Sequence, residues 1–397
     1  MGFRVAETRP PHHRQSGNAS NPMSPDNPKK HPTMTHTPDR PSENPATALS
    51  DDLTPSFADR LIHWQKQHGR HNLPWHSRDP YRVWLSEIML QQTQVATVAG
   101  YYPRFLAAFP TVSALAAAAE DDVLALWQGL GYYSRARNLY KAAKQIMADF
   151  GGQFPTERTE LEKLCGVGRS TAAAIAAFAF GRRETILDGN VKRVLCRLLA
   201  LDGDPTDKTF ERQLWRHAEQ LLPPAAADMA AYTQGLMDLG ATVCRRSKPD
   251  CAACPMHDIC AARRDGRTAE LPRKKSAAAV KQQTLYWLDL RRADGSLLLA
   301  KRPPKGIWAG LYCLPSFDSL AAAHAFAEQC GCPAAALHEE SPLTHRLTHR
   351  LLEIIPLSAR IRQPETPAAP YQWVSPAQLP DYGLPKPLER YLQHKAA

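Results

Sequence analysis

The spacing of apolar residues changes once along this chain, from helical in the first part to alternating in the last. From Phe57 onward, Phe57, Leu61, Ile62 and Trp64 recur at helical spacing. Leu73-Pro74-Trp75 breaks the pattern, and Pro80 sits where a helix can begin. The next run predicts one helix from Tyr81 to Val98, with Leu85, Ile88, Met89 and Leu90 apolar and Glu87 among them. Pro103–Phe109 follows, then Pro110-Thr111 as a helix start and an alanine-rich helix to about Trp127. Further helices are predicted over Arg137–Phe150, Glu157–Leu164, Ser170–Phe180, Val191–Leu201, Leu214–Leu222 and Met229–Leu239. From about Leu285 the period becomes two, with alternating runs on either side of Asp294-Gly295, a strong hairpin signal. GIWAGLYCLPSF, THRLLEIIPL and YQWVSP add strands, and Leu320–Gln329 a helix. The pattern predicts a multidomain protein: an all-α domain over 53–264, a linker over 265–284, and an α+β domain over 285–397.

Composition refines the ends and the linker. Residues 1–50 hold nine of the 34 prolines and almost no apolar periodicity, so 1–52 reads as a disordered extension. Met23 and Met34 are alternative starts within it. Net charge is +10, and the excess gathers in 241–285, with ten basic against four acidic residues. Localised basic charge favours nucleic acid, since phosphate contacts release counterions; a solvated linker is the plainer reading. The chain has no run of ~18 apolar residues and no signal-peptide pattern, so no membrane span and a cytoplasmic location are expected. Nine cysteines without a signal argue against a disulfide framework. Four are grouped as C-x6-C-x2-C-x5-C: Cys244, Cys251, Cys254 and Cys260. Their spacing alone leaves zinc and iron–sulfur open. Cys165, Cys196, Cys313, Cys330 and Cys332 are scattered and read as buried or incidental.

The densest local signal runs from Leu164 to Arg197. Gly166 and Gly168 flank Val167 in a tight turn, followed by a small-residue helix closed by Gly181. Such a hairpin bares backbone N–H groups at a helix N-terminus, a ready phosphate site; an ordinary helix–turn–helix corner is the alternative. Asp188 lies in the turn that leads into the next helix, where it can be simply an N-cap. Glu87 reads either as an edge glutamate or as a carboxyl with raised pKa suited to general acid work. Tyr132, in GLGYYSRAR, reads either as a buried aromatic or as a wedge into bases beside arginines.

LCGVGRSTAAAIAAFAFGRRETILDGNVKRVLCR and WLSEIMLQQTQV resemble the helix-hairpin-helix DNA glycosylases of the endonuclease III superfamily, and within it the MutY-type adenine glycosylase branch. The resemblance covers about 53–397 and is densest over 74–260. It implies a helix-hairpin-helix glycosylase domain with a [4Fe–4S] loop over 244–260, followed by a Nudix-like lesion-recognition domain. It makes Glu87 the catalytic acid and Asp188 the catalytic carboxylate. It makes Gln92 and Tyr132 the residues that wedge into DNA, and places Gly166, Gly168, Ser170, Asn190 and Lys192 at the DNA-facing hairpin. The four clustered cysteines become cluster ligands. The implied partner is double-stranded DNA carrying adenine opposite 8-oxoguanine or guanine, bound by a monomer that leaves an abasic site. Where the family reads 8-oxoguanine with a Phe-Ser-His loop, this chain has Leu347, Thr348 and His349, so the hydroxyl is kept and the ring lost. Cys165 likewise replaces the usual hairpin proline. No glutamate-rich REx2EE stretch exists, which argues against nucleotide hydrolysis by the last domain. Two rivals stand beside this reading. A bifunctional glycosylase/lyase needs an amine nucleophile where this chain has Ser170. A non-catalytic DNA-binding module would have no use for Glu87 and Asp188 together.

Overall fold

The computed structural model describes residues 53–223, 228–273, 280–362 and 367–396. The extension expected to be disordered, 1–52, lies outside these residues, as does 274–279 of the linker.

Helices carry the chain from Leu53 to Arg264. They are α1 (Leu53–His68), α2 (Pro80–Leu90), α3 (Val95–Ala108), α4 (Val112–Ala117), α5 (Glu120–Leu126) and α6 (Ser134–Phe150). Then come α7 (Arg158–Leu161), α8 (Arg169–Phe180), α9 (Gly189–Leu198), α10 (Lys208–Gln220), α11 (Met229–Asp238) and α12 (Ala261–Arg264). A π-helical turn, Leu239–Val243, extends α11 towards the cysteines.

Two expected helices divide. The run Tyr81–Val98 becomes α2 and α3, because the chain turns at Gln92 with φ 56°. The guanidinium of Arg135 takes the carbonyls of Ile88, Met89 and Gln91 and so caps α2 from outside. A cap supplied by a distant side chain leaves no mark on local apolar spacing. The alanine-rich run splits into α4 and α5, where Glu120, Asp121 and Asp122 open α5 at its positive end. Pro103 lies inside α3 instead of opening a new segment.

The helical part has two apolar cores. One gathers Trp84, Ile88, Phe105, Trp127 and Leu139; the other gathers Phe57, Leu61, Leu195, Tyr232 and Leu236. Helix α8 lies between them. Its Ala172, Ile175 and Ala176 belong to the first core, and its Ala173, Ala174 and Ala177 to the second. Methyl-sized side chains let both cores close onto one helix.

The last part is a mixed sheet: β1 (Lys281–Arg291), β2 (Leu297–Lys301), β3 (Tyr312–Cys313), β4 (Ser316–Phe317), β5 (His338–Glu339), β6 (Leu343–Arg346), β7 (Arg350–Arg360) and β8 (Tyr371–Val374). The main order is β3-β2-β1-β7-β5, with β1 and β7 parallel along their full length. Helix α13 (Leu320–Gln329) covers the face that holds Leu288 and Leu290; α14 (Lys386–Ala396) covers the opposite face, with Leu285 and Trp287. Strand β1 begins at Lys281, inside the stretch expected to be linker. GIWAGL, expected as strand, is a turn in which Gly306, Trp308 and Gly310 take positive φ.

The two parts dock directly. Asp121 of α5 accepts from Lys301 Nζ at 2.6 Å and from the Tyr312 hydroxyl at 3.1 Å. The Tyr133 hydroxyl donates to the Leu384 carbonyl at 3.2 Å, and Arg137 donates to that of Ala309. Leu311 is buried in the first helical core. No described helix is long and apolar enough to cross a membrane.

Candidate active site and DNA interface

A cavity of about 510 Å³ opens between the two helical cores, lined by Trp75, Val83, Glu87, Leu90, Phe178 and Gln234 among others. Glu87 points into it from α2, between the buried Leu85 and Ile88. Burial of its carboxyl first, and the nearby charge of Asp188 second, push its pKa up to about 8. Part of the side chain keeps some exposure because it faces the cavity.

Asp188 comes from the N-terminus of α9. Its Oδ1 accepts the N–H of Asn190 at 2.9 Å and of Val191 at 2.8 Å, so it is an N-cap as well as a partner of Glu87. The Asn190 side-chain amide donates to its other oxygen at 3.3 Å. Asn190 is in turn held by Arg193, which donates to Asn190 Oδ1 at 2.9 Å, to the Gly240 carbonyl at 2.7 Å and to the Cys244 carbonyl at 2.8 Å. Gly240 is needed there, since a Cβ would sit 2.6 Å from that of Asn190. Lys192 points elsewhere: it pairs with Glu211 and donates to the Pro205 carbonyl, with no bond to Asp188.

The hairpin enters α8 through Gly166, at φ +78°, and Gly168, at φ −93°. Ser170 Oγ accepts the Leu187 N–H at 3.0 Å, which ties the start of α8 to the segment carrying Asp188. The expected wedge residues are both at the surface. Gln92 is exposed in the α2–α3 turn, and Tyr132 is 47% exposed just before α6. Tyr132 lines a cleft of about 560 Å³ together with Trp308, Leu347, Thr348 and His349. The cleft thus brings together residues from the helical part and from the β6–β7 turn.

Cys244, Cys251, Cys254 and Cys260 ring one small cavity with Arg197. Arg197 is buried and donates to Cys244 Sγ at 3.4 Å and to the carbonyls of Arg245 and Leu271. Burial pushes the Cys254 thiol up to about 12, with Cys244, Cys260 and Cys251 adding to the rise as close neighbours. Among the described residues no three His, Cys, Asp or Glu side chains converge as ligands of a single ion would. Cys196, Cys313, Cys330 and Cys332 are buried elsewhere, and Cys165 is half-buried.

Sequence reasoning missed two groups. Asp238, buried on α11, accepts from Arg70 Nε at 2.7 Å and from Gln234 Nε2 at 2.8 Å, and so builds one wall of the cavity. A single aspartate in MDLG gives no sign of burial. The sequence places Arg135 only among the arginines beside Tyr132 in GLGYYSRAR, and nothing in that motif marks it as buried.

Comparison with known proteins agrees with this geometry. Residues 85–220 match the model of the HhH-GPD superfamily base excision DNA repair proteins, and 286–394 that of the NUDIX domain. The chain is 36% identical over 302 residues to the adenine DNA glycosylase of Buchnera aphidicola subsp. Baizongia pistaciae, spanning 76% of this chain and 85% of that one. It is 44% identical over 218 residues to the Homo sapiens adenine DNA glycosylase, spanning 52% and 39%. A solved thermostable thymine-DNA glycosylase aligns with a TM-score of 0.48 at 28% identity, over 53% of this chain and 95% of its own. With the Buchnera relative matched over most of both chains, and with an HhH-GPD domain and a NUDIX domain on one chain, this protein belongs to the adenine DNA glycosylase family of base excision repair.

Proposed function

We propose that this enzyme removes adenine mispaired with 8-oxoguanine or guanine in double-stranded DNA and leaves an abasic site. The observation that carries the reading is Glu87 in the wall of the cavity of about 510 Å³, where burial first and the nearby charge of Asp188 second push its pKa up to about 8. The glycosidic bond is inaccessible inside a duplex, so the adenosine must leave the stack and enter the cavity. Glu87 then donates its proton to adenine N7, which makes the base a better leaving group. Positive charge develops on the sugar, and Asp188, oriented by Asn190 and the α9 backbone, opposes it. Water completes the hydrolysis. Ser170 supplies no amine and its hydroxyl is occupied, which favours a monofunctional glycosylase over a lyase. Glu87→Gln and Asp188→Asn should each lose about 10²–10⁴-fold in single-turnover excision while mispair binding persists. Near-normal rates in either variant would refute the assignment.

The four cysteines fit a [4Fe–4S] cluster. Cys244, Cys251, Cys254 and Cys260 line one small cavity together, as the four thiolate ligands of one cluster would. The thiolates of Cys244, Cys251, Cys254 and Cys260 would hold the cluster, which when bound would tie the loop bearing Arg245, Arg246 and Lys248 at four points. Arg197 donates to Cys244 Sγ at 3.4 Å. Anaerobically purified protein should be brown, with about four irons per chain; colourless protein with stoichiometric zinc would rule the cluster out.

The opposite base is read by the last domain, through Thr348 and His349 on the cleft they share with Tyr132. Thr348→Ala with His349→Ala should narrow the preference for adenine opposite 8-oxoguanine over adenine opposite guanine by ~1–3 kcal/mol. The point variants are cleaner than truncation at 284, which would also strip Leu311 from the helical core. Unchanged relative rates on the two mispairs would place lesion reading in the helical part.

A further inference from the structure

Gln92 and Tyr132 hold left-handed backbone, at φ 56° and 48°, a conformation that side-chain-bearing residues seldom adopt without support. They belong to different turns, and one side chain touches both turns. Arg135 Nη1 donates to the carbonyls of Ile88 at 3.0 Å, Met89 at 2.7 Å and Gln91 at 2.6 Å, beside Gln92. Its Nη2 donates to Thr93 Oγ1 at 3.0 Å and to the carbonyls of Leu130 at 3.2 Å and Gly131 at 3.0 Å, beside Tyr132. The guanidinium also lies over the Tyr132 ring, 5.7 Å from its centroid, and over that of Trp127 at 5.3 Å.

Arg135 is buried, and no carboxylate pairs with it among the described residues. Desolvation holds its pKa down, to about 10. A buried cation met only by carbonyls and a hydroxyl is a costly way to fill space; an apolar side chain would do that with less penalty. What an apolar side chain cannot do is accept two turns at once. The planar fork of arginine offers donors on opposite edges, and lysine offers a single point.

We propose that Arg135 is a positioning residue that locks the Gln92 and Tyr132 turns into one preformed blade, so that both side chains meet the duplex already set. Ordering the two turns before encounter removes that entropic cost from the step that expels the adenine. The inference rests on the reading of Gln92 and Tyr132 as DNA-wedging residues.

The test uses the full chain in an Asp188→Asn background and a duplex with 2-aminopurine in place of the mispaired adenine, whose fluorescence rises on extrusion. Arg135→Lys should lower the extruded fraction on the order of tenfold, the scale of a lost charge-assisted hydrogen bond. Added to Gln92→Ala with Tyr132→Ala, it should lower extrusion no further, because the clamp acts only through those side chains. Full extrusion by Arg135→Lys, or a loss that adds in full to that of the double variant, overturns the proposal. If Arg135→Lys does not fold, Thr93→Val removes one contact of the clamp and must show the same non-additivity at smaller amplitude; additivity there overturns the proposal too. No fluorescence rise with the Asp188→Asn parent would instead sink the proposed function, and the clamp with it.

Discussion

Glu87 owes its chemistry to its neighbours. Burial in the cavity wall it shares with Val83 and Leu90, and the nearby charge of Asp188, push its pKa up to about 8. Single-turnover excision should therefore stay level through neutral pH and fall above about 8, and Glu87→Gln should abolish that limb along with most of the rate. The same shift bears on stability. The folded-state pKa lies above the ordinary value of 4.5, so between 4.5 and about 8 the unfolded chain releases a proton that the folded chain keeps. Stability attributable to this group thus falls as pH rises through that window. Glu87→Gln should raise the thermal midpoint more at pH 8 than at pH 5, which calorimetry at the two values would check. A fixed difference would show that burial of the carboxyl has been overstated. Periodicity put Glu87 among apolar neighbours but could not choose between helix edge and cavity wall, because Asp188 reaches it from a distant helix.

The hairpin shows what an element's sequence does and does not reveal. Both glycines were legible as a turn, yet they have different jobs. Gly166 stands at φ +78°, and a Cβ there would lie 2.7 Å from that of Asn138. Gly168 has an ordinary φ of −93° with nothing within 4 Å of such a Cβ. Gly166→Ala should destabilise the free protein by about 1–3 kcal/mol. Gly168→Ala should stay within about 1 kcal/mol of neutral, since a poorer N-cap and a stiffer unfolded chain oppose one another. Equal denaturation midpoints for the two variants would contradict this division. Helices α8 and α13 are readable because Gly181 closes the one and Ser319 caps the other, whereas the helix expected over Glu157–Leu164 shrinks to the uncapped turn α7. The α2–α3 break is not readable, because Arg135 makes it from across the fold. The linker was shorter than its composition suggested: Arg267 and Arg273 are spent on Asp202, and β1 pairs with β7 from Lys281 onward.

At the scale of the whole molecule, the turn carrying Tyr132 and the last domain are joined by hydrogen bonds. The Tyr133 hydroxyl accepts from the Gly129 N–H and donates to the Leu384 carbonyl, next to Tyr132 in sequence. Tyr133→Phe should cost only about 1 kcal/mol of stability, yet reduce discrimination between the two mispairs while leaving the rate on adenine opposite guanine unchanged. Parallel excision assays on the two duplexes would show it, and an unaltered ratio would mean the domains act independently. The sequence announced two domains but not this seam, where half of the acceptors named above are backbone carbonyls that any residue could provide and the other half come from the single carboxylate of Asp121. Helix α8 carries a different consequence. Glu87 precedes Ile88 of the first core and Asp188 follows Leu187 of the second, and α8, a rod of alanines, sets how far apart those cores lie. That rod is a calliper: its jaws are the two cores, and its gauge is a backbone plus one methyl on each side. Enlarging Ala173 or Ala174 would reset the span between proton donor and carboxylate, changing the reaction's geometry from a position with no chemistry of its own.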